Sequence, residues 1–197
     1  MFQLSKPLIL ASNSPRRKQL MHDSGFDFEV EVLPTDETYP ETLESRMVAA
    51  HISGQKAEVF RGLHPDKIIL TSDTVVIVDG EILGKPKDAA DAARMLNLLS
   101  DRTHEVVTAV SLLSGNEITT KSDVAFVSFR KLDELEINHY IEHYKPFDKA
   151  GAYGIQEWIS MIGITRIEGS FYTIMGLPVH VVHDMLRPFF IDQQPIR

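Results

Sequence analysis

The chain has 197 residues, 43% of them apolar and 24% charged, with a net charge of −8 and no cysteine. That length suits a single domain over 1–197, at most two lobes around a central cleft, and its core can fold without a disulfide or structural metal. Disulfide frameworks, Cys-ligated zinc, iron–sulfur clusters and thiol nucleophiles are excluded, the acidic balance argues against nucleic acid as a partner, and the lack of a signal-like or 18-residue apolar run predicts a cytoplasmic protein with no membrane association.

Pro7–Ala11 is a short apolar run of strand length, and Ser12-Asn13-Ser14-Pro15 ends it. Ser14 as N-cap with Pro15 at the first helical position predicts a helix to Asp23, which Gly25 stops. Residues 26–33 alternate like a half-buried strand, and 34–40 form a polar loop carrying Asp36 and Glu37. Leu43, Met47, Ala50, Ala57 and Phe60 are spaced for an amphipathic helix over 41–61, with Gly54 its weak point. Ile68–Val78 is an almost continuous apolar strand interrupted by Thr71-Ser72-Asp73-Thr74. Asp79-Gly80 is a type I′ turn signal leading into a short strand at 81–83.

Asp88 opens a helix to Leu99. Long β-type runs at 103–113 and 117–129, joined by Ser114-Gly115-Asn116, form a second hairpin. Asp133 caps a helix to Tyr144, a third hairpin is expected over 159–175 around Glu168-Gly169, and Pro178 starts a last helix that Arg187-Pro188 ends. Helices and hairpins intermix, which predicts an α/β fold with a mixed, partly antiparallel, twisted sheet flanked by helices.

Common nucleotide and metal motifs fail. Gly84-Lys85 continues into Pro86 and is no P-loop, and His104-Glu105 lacks a histidine at 108 and lies in a strand. His180 and His183 read as polar positions of an amphipathic helix. Three constellations remain. In Ser12–Arg17, a helix N-terminus meets two hydroxyls and two guanidiniums, the way a phosphate is gripped. The same residues also suit a capped helix with solvated arginines. Asp73 is a carboxylate among apolar strand residues, costly to bury unless paired, hydrogen-bonded or metal-bound. Asp148–Gln156 (DKAGAYGIQ) combines small residues that admit a close ligand with polar Lys149 and Gln156; it also suits a plain connector.

Together these segments resemble the Maf-like nucleoside triphosphate pyrophosphatases, of the wider inosine-triphosphatase-like fold. The similarity runs through Leu8–Gln19, Gln55-Lys56-Ala57, Ser72–Val76, Gly84-Lys85-Pro86, Leu99–Thr108, Asp148–Gln156 and Gly169–Pro178, in that order. The resemblance implies a cleft in which a nucleoside triphosphate is hydrolysed to the monophosphate and pyrophosphate, assisted by a divalent cation, Mg²⁺ or Mn²⁺. It implies Asp73 as proton acceptor or metal ligand and Glu37 as a second acidic residue for metal or water. Lys56 and Lys85 would meet the phosphates, with Ser12, Arg17 and Lys149 as further substrate contacts. Arg16, Thr74 and Gln156 fall on positions linked to base choice in the branch acting on dTTP and UTP. Asn13 stands where a glycine is common, and Glu157-Trp158 replaces a glycine-containing continuation, putting an indole next to the expected base pocket.

The competing expectations are a pyrophosphatase for modified nucleotides such as methylated GTP, and a nucleotide-sensing regulator of cell division, with a homodimer left open in each case. Asp73, Lys56 and Lys85 together favour the enzyme, because a pure binder needs no base.

Overall fold

The computed structural model describes residues 3–191; Met1-Phe2, part of the opening stretch read as too short for a leader, lie outside it, as do residues 192–197. In chain order the strands are β1 (Leu8–Leu10), β2 (Glu29–Val30), β3 (Ile68–Val78), β4 (Glu81–Leu83), β5 (Thr103–Ser114), β6 (Glu117–Phe129) and β7 (Ile164–Glu168). The helices are α1 (Pro15–Asp23), α2 (Val48–Glu58), α3 (Ala89–Leu99), α4 (Glu134–Tyr144), α5 (Trp158–Gly163), α6 (Phe171–Ile174) and α7 (Val179–Leu186). No described helix is long and apolar enough to cross a membrane.

The strands make one mixed sheet in the order β2-β1-β3-β5-β6-β7, with β4 also on β3. β1 runs parallel to β2 and β3, and the remaining pairings are antiparallel. This is the mixed, helix-flanked sheet expected from the sequence. Local signals explain most of it. Ser14 accepts from the Arg17 N–H at the head of α1, Asp88 caps α3, and Asp133 with Glu136 closes a reciprocal capping box on α4. Asp79 and Gly80 both take positive φ, as a type I′ turn demands.

Three expectations are corrected. Of the strand expected over 26–33, Glu29 and Val30, both exposed, pair with β1 and Phe26 makes a single bridge, and the chain then leaves the sheet to carry Glu37 over it. The helix expected over 41–61 is shorter, with a 3₁₀ turn at Ser45–Met47 before α2. It packs through Val48, Ala49, Ile52, Ser53 and Ala57, while Met47 is exposed. Small residues at 49, 53 and 57 form the buried stripe, a face that a search for large apolar residues passes over. The hairpin at 159–175 is instead α5, β7 and α6. β7 pairs with β6, so it needs no return strand, and Ser170 caps α6 through the Tyr172 N–H. Gly169 makes this corner at φ +97°, where an added Cβ would sit 2.8 Å from the Val124 carbonyl oxygen.

The core covers both faces of the sheet. On one, α2 packs on Val75, Ile77, Val107 and Ala109. On the other, α1 and α7 cover the β1 end, and α3, α4 and α5 cover the β4 end.

His104 on β5 is 1% exposed, its ring stacked on Phe129 at 5.8 Å and its Nε2 2.8 Å from the Tyr153 hydroxyl. Burial lowers its pKa to about 4 from 6.5. Between these values the unfolded chain holds a proton that the native state does not. His104 therefore leaves stability intact above about pH 6.5 and takes it away as pH falls toward 4. His104→Phe keeps a ring and removes the titration. Urea unfolding of the variant should lose about 2 kcal/mol less than the unmutated protein between pH 7 and 4.5. Equal losses in both would contradict this account of His104.

Candidate active site

β3 has neighbours at both ends on its outer edge but none in the middle. β1 pairs with residues 68–70 and β4 with residues 76–78, which leaves 71–75 open on that side. The last β1-side bond runs from the Ala11 N–H to the Leu70 carbonyl, and β1 turns there into the Ser12–Ser14 loop. Into this interruption opens a cleft of about 720 Å³, a size suited to a small-molecule ligand. Because successive strand residues face opposite ways, and no strand covers this stretch, side chains from both faces of β3 reach one cleft.

On the α2 face lie Thr71, Asp73 and Val75. Asp73 is 9% exposed, and its Oδ1 accepts a hydrogen bond from Lys56 Nζ at 2.7 Å. The same ammonium lies 2.9 Å from Glu37 Oε1. One cation on α2 thus bridges a strand carboxylate and a loop carboxylate. Burial raises the Asp73 pKa, against the pull of Lys56 and Arg17 and with the repulsion of Glu37. Burial also pushes Glu37 up, but the hydrogen bond and charge of Lys56, then Lys85 and Arg17, outweigh it and hold Glu37 low. The two carboxylates are pushed apart in acidity, as in sites where one group handles a proton and another stays charged. Lys85 lines the cleft mouth, exposed, with no hydrogen bond or ion pair among the described residues.

On the opposite face are Ser72, Thr74 and Arg17. Arg17 is half-buried, and its guanidinium donates to the Gly176 carbonyl at 2.8 Å, the Ser72 carbonyl at 2.9 Å and Thr74 Oγ1 at 3.2 Å. Its pKa is lowered by burial and by Arg16, against the pull of Asp73 and Glu37. Arg17 occupies the open edge of β3 in place of a strand. Its donors are largely committed to the protein, so it supplies charge and bracing more than a free phosphate fork. Ser12 is buried, and its Oγ accepts from the Ser14 N–H at 3.2 Å. Residues Ser12–Arg17, with the α1 N-terminus, line the cleft.

The far wall is a chain of charges. Arg16 lies 3.9 Å from Asp148, and buried Lys149 is held between Asp148 at 2.6 Å and Glu157 at 3.1 Å. Tyr140 donates to Glu157 and accepts from the Gly154 N–H at 3.0 Å. This ties the glycine-containing segment to α4. Gln156 is exposed and is not among the lining residues, although its neighbour Ile155 is. Trp158, expected beside the base, packs instead against the α3–α4 core with its indole 4.9 Å from the His139 ring.

The structure thus gathers Asp73, Glu37, Lys56, Lys85, Ser12, Arg16, Arg17, Thr74 and Lys149 around one cleft and leaves Gln156 at its margin. Sequence reasoning missed Thr108, Gly176 and Tyr140. Thr108 is the register partner of Thr74 across β3 and β5, and only the pairing reveals it. For a divalent cation, the donor set is two carboxylates sharing one ammonium, with no group of three acidic or histidine ligands among the described residues. That fits Mg²⁺, which commonly takes one or two carboxylates and fills its shell with water and substrate phosphates.

A family model described as Maf-like protein matches residues 7–189. The dTTP/UTP pyrophosphatase of Phocaeicola vulgatus is 47% identical over 91% of this chain and 94% of its own. The one from Porphyromonas gingivalis is 48% identical over 92% and 94%. Among solved structures, the Staphylococcus aureus Ham1 protein is similar with a TM-score of 0.46 and 18% identity, covering 63% of this chain and 72% of that one.

Proposed function

From the premise that the chain belongs to the Maf-like protein family, we propose that it hydrolyses nucleoside triphosphates, dTTP and UTP foremost, to the monophosphate and pyrophosphate. The observation that carries this reading is the Asp73–Lys56–Glu37 cluster in the interrupted edge of β3, within a chain similar along most of its length to dTTP/UTP pyrophosphatases.

In this reading a water attacks the α-phosphorus. The new P–O bond forms as the bond to the bridging oxygen breaks, the electron pair leaves on pyrophosphate, and Asp73 takes the water's proton. Its raised pKa moves it toward the range where a carboxylate both accepts and returns a proton. Lys56 and Lys85 neutralise the phosphates, and the α1 N-terminus with Ser12 adds backbone donors. Glu37 and Asp73 would hold the divalent cation, which, when bound, offsets phosphate charge and acidifies water. Lys56 holds both carboxylates before substrate arrives. A triphosphate that draws this ammonium away frees them at the same moment.

The base would lie on the opposite face of β3, by Thr74 and Arg16, and Gln156, exposed at the cleft margin, would turn its amide inward to serve as donor and acceptor. The strand then sets Asp73, with Lys56 and Glu37, on one face and the Ser72 and Thr74 side chains, braced by Arg17, on the other. Pyrophosphate release with Mg²⁺ tests the reading. UTP and dTTP should give kcat/KM values at least about tenfold above ATP and GTP, with no orthophosphate. Equal values for purine and pyrimidine triphosphates would overturn the base assignment, and orthophosphate release would overturn the reaction.

A further inference from the structure

The hydroxyls behind Thr74 admit one arrangement of protons. Thr108 Oγ1 lies 2.7 Å from the Thr173 carbonyl oxygen, which can only accept, so the single Thr108 proton is committed there. Thr108 Oγ1 is also 2.9 Å from Thr74 Oγ1. With the Thr108 proton engaged, Thr74 must be the donor in that pair. Arg17 has only protons to offer, so its contact at 3.2 Å engages a Thr74 lone pair. The direction runs from Arg17 through Thr74 and Thr108 to Thr173. Its far end is fixed, since the Thr173 hydroxyl is bonded to Asp123 and the Thr173 carbonyl also accepts the Gly176 N–H at 3.1 Å.

We propose that fully buried Thr108 is a positioning residue that sets the polarity of the Thr74 hydroxyl, so that Thr74 shows a bound base an acceptor and no donor. This rests on the placement of the base beside Thr74 given above. Uracil and thymine carry an N–H between two carbonyls, and an acceptor suits it. Cytosine carries a bare ring nitrogen at the same place, and two lone pairs would meet. Thr108 therefore selects among pyrimidines, a discrimination that a pyrimidine-sized pocket does not provide. A site built for one hydrogen-bonding pattern rejects a partner of inverted pattern more strongly than one of altered size.

The test is the ratio of kcat/KM for UTP to that for CTP. The unmutated protein should favour UTP by at least about tenfold. Thr108→Val keeps the shape and removes the hydroxyl, while Thr173 retains the Gly176 N–H. Thr74 can then turn its proton to the cleft, and the ratio should fall toward unity, mainly through better use of CTP. Thr108→Ser should restore it. A merely structural role would lower both substrates together, and an unchanged ratio in folded Thr108→Val would overturn the proposal. N3-methyl-UTP gives a measurement on the unmutated protein should Thr108→Val not fold. It should lose at least about tenfold against UTP while 5-methyl-UTP does not, and equal use would overturn the proposal. Failure to cleave UTP at all would overturn the function itself, a result separate from any change in the ratio.

Discussion

Asp73→Asn is expected to lower kcat for UTP by about a hundredfold or more, the scale for losing a positioned general base. The fold should survive. Lys56 keeps Glu37 as a partner at 2.9 Å, and the amide is nearly the same size as the carboxylate. Stability points the same way. A carboxyl whose pKa folding raises is more easily ionised in the unfolded chain, so at neutral pH its charge weighs against the native state. The variant should melt no lower than the unmutated protein, a sign that the site holds a strained charge for chemistry. The pH profile gives a second reading. Protonated Asp73 cannot take a proton from water, so activity falls as pH drops through a pKa above the ordinary 3.8. Asp73→Asn should lose that acidic limb along with its turnover. Near-normal turnover in folded Asp73→Asn would remove Asp73 from the reaction.

How far the sequence reaches is clearest at β3 and α2. The strand was readable because Ile68–Val78 is apolar nearly throughout, and Asp73 stood out against it. That residues 71–75 lack a neighbour on one edge was not readable, since it depends on where β1 stops and β4 starts in space. This interruption is what admits a ligand and brings opposite faces of a strand to one cleft. Arg17 shows the same limit. Its type and place beside a helix N-terminus suggested a phosphate grip, yet three of its donors go to Gly176, Ser72 and Thr74. Caps and turns were legible because their chemistry is local, as at Ser14, Asp88 and Asp79-Gly80. The 159–175 error came from treating Gly169 as a hairpin turn, when its close approach to Val124 makes it a corner between β7 and α6.

Lys56→Ala and Lys85→Ala should separate two functions of positive charge that composition alone merges. Lys85 is exposed at the mouth and pulls Glu37 only through its charge. Its loss should raise KM for UTP by about tenfold, the scale for one charge-assisted contact, with kcat nearly kept and a weaker dependence on salt. Lys56 is embedded between Asp73 and Glu37. Its removal leaves two carboxylates facing each other without the ammonium that holds Glu37 low. Both should then hold protons to higher pH, because like charges at one site disfavour joint ionisation. The expected result is a fall in kcat/KM of about a hundredfold at neutral pH, spread over kcat and KM, with the acidic limb moved upward. Lys56→Ala with an unmoved limb would mean that the bridge seen before substrate binds has no part in the working site. Lys85→Ala with unchanged KM and salt response would leave Lys85 a solvated surface group, and the phosphates would then rest on Lys56 and the α1 N-terminus alone.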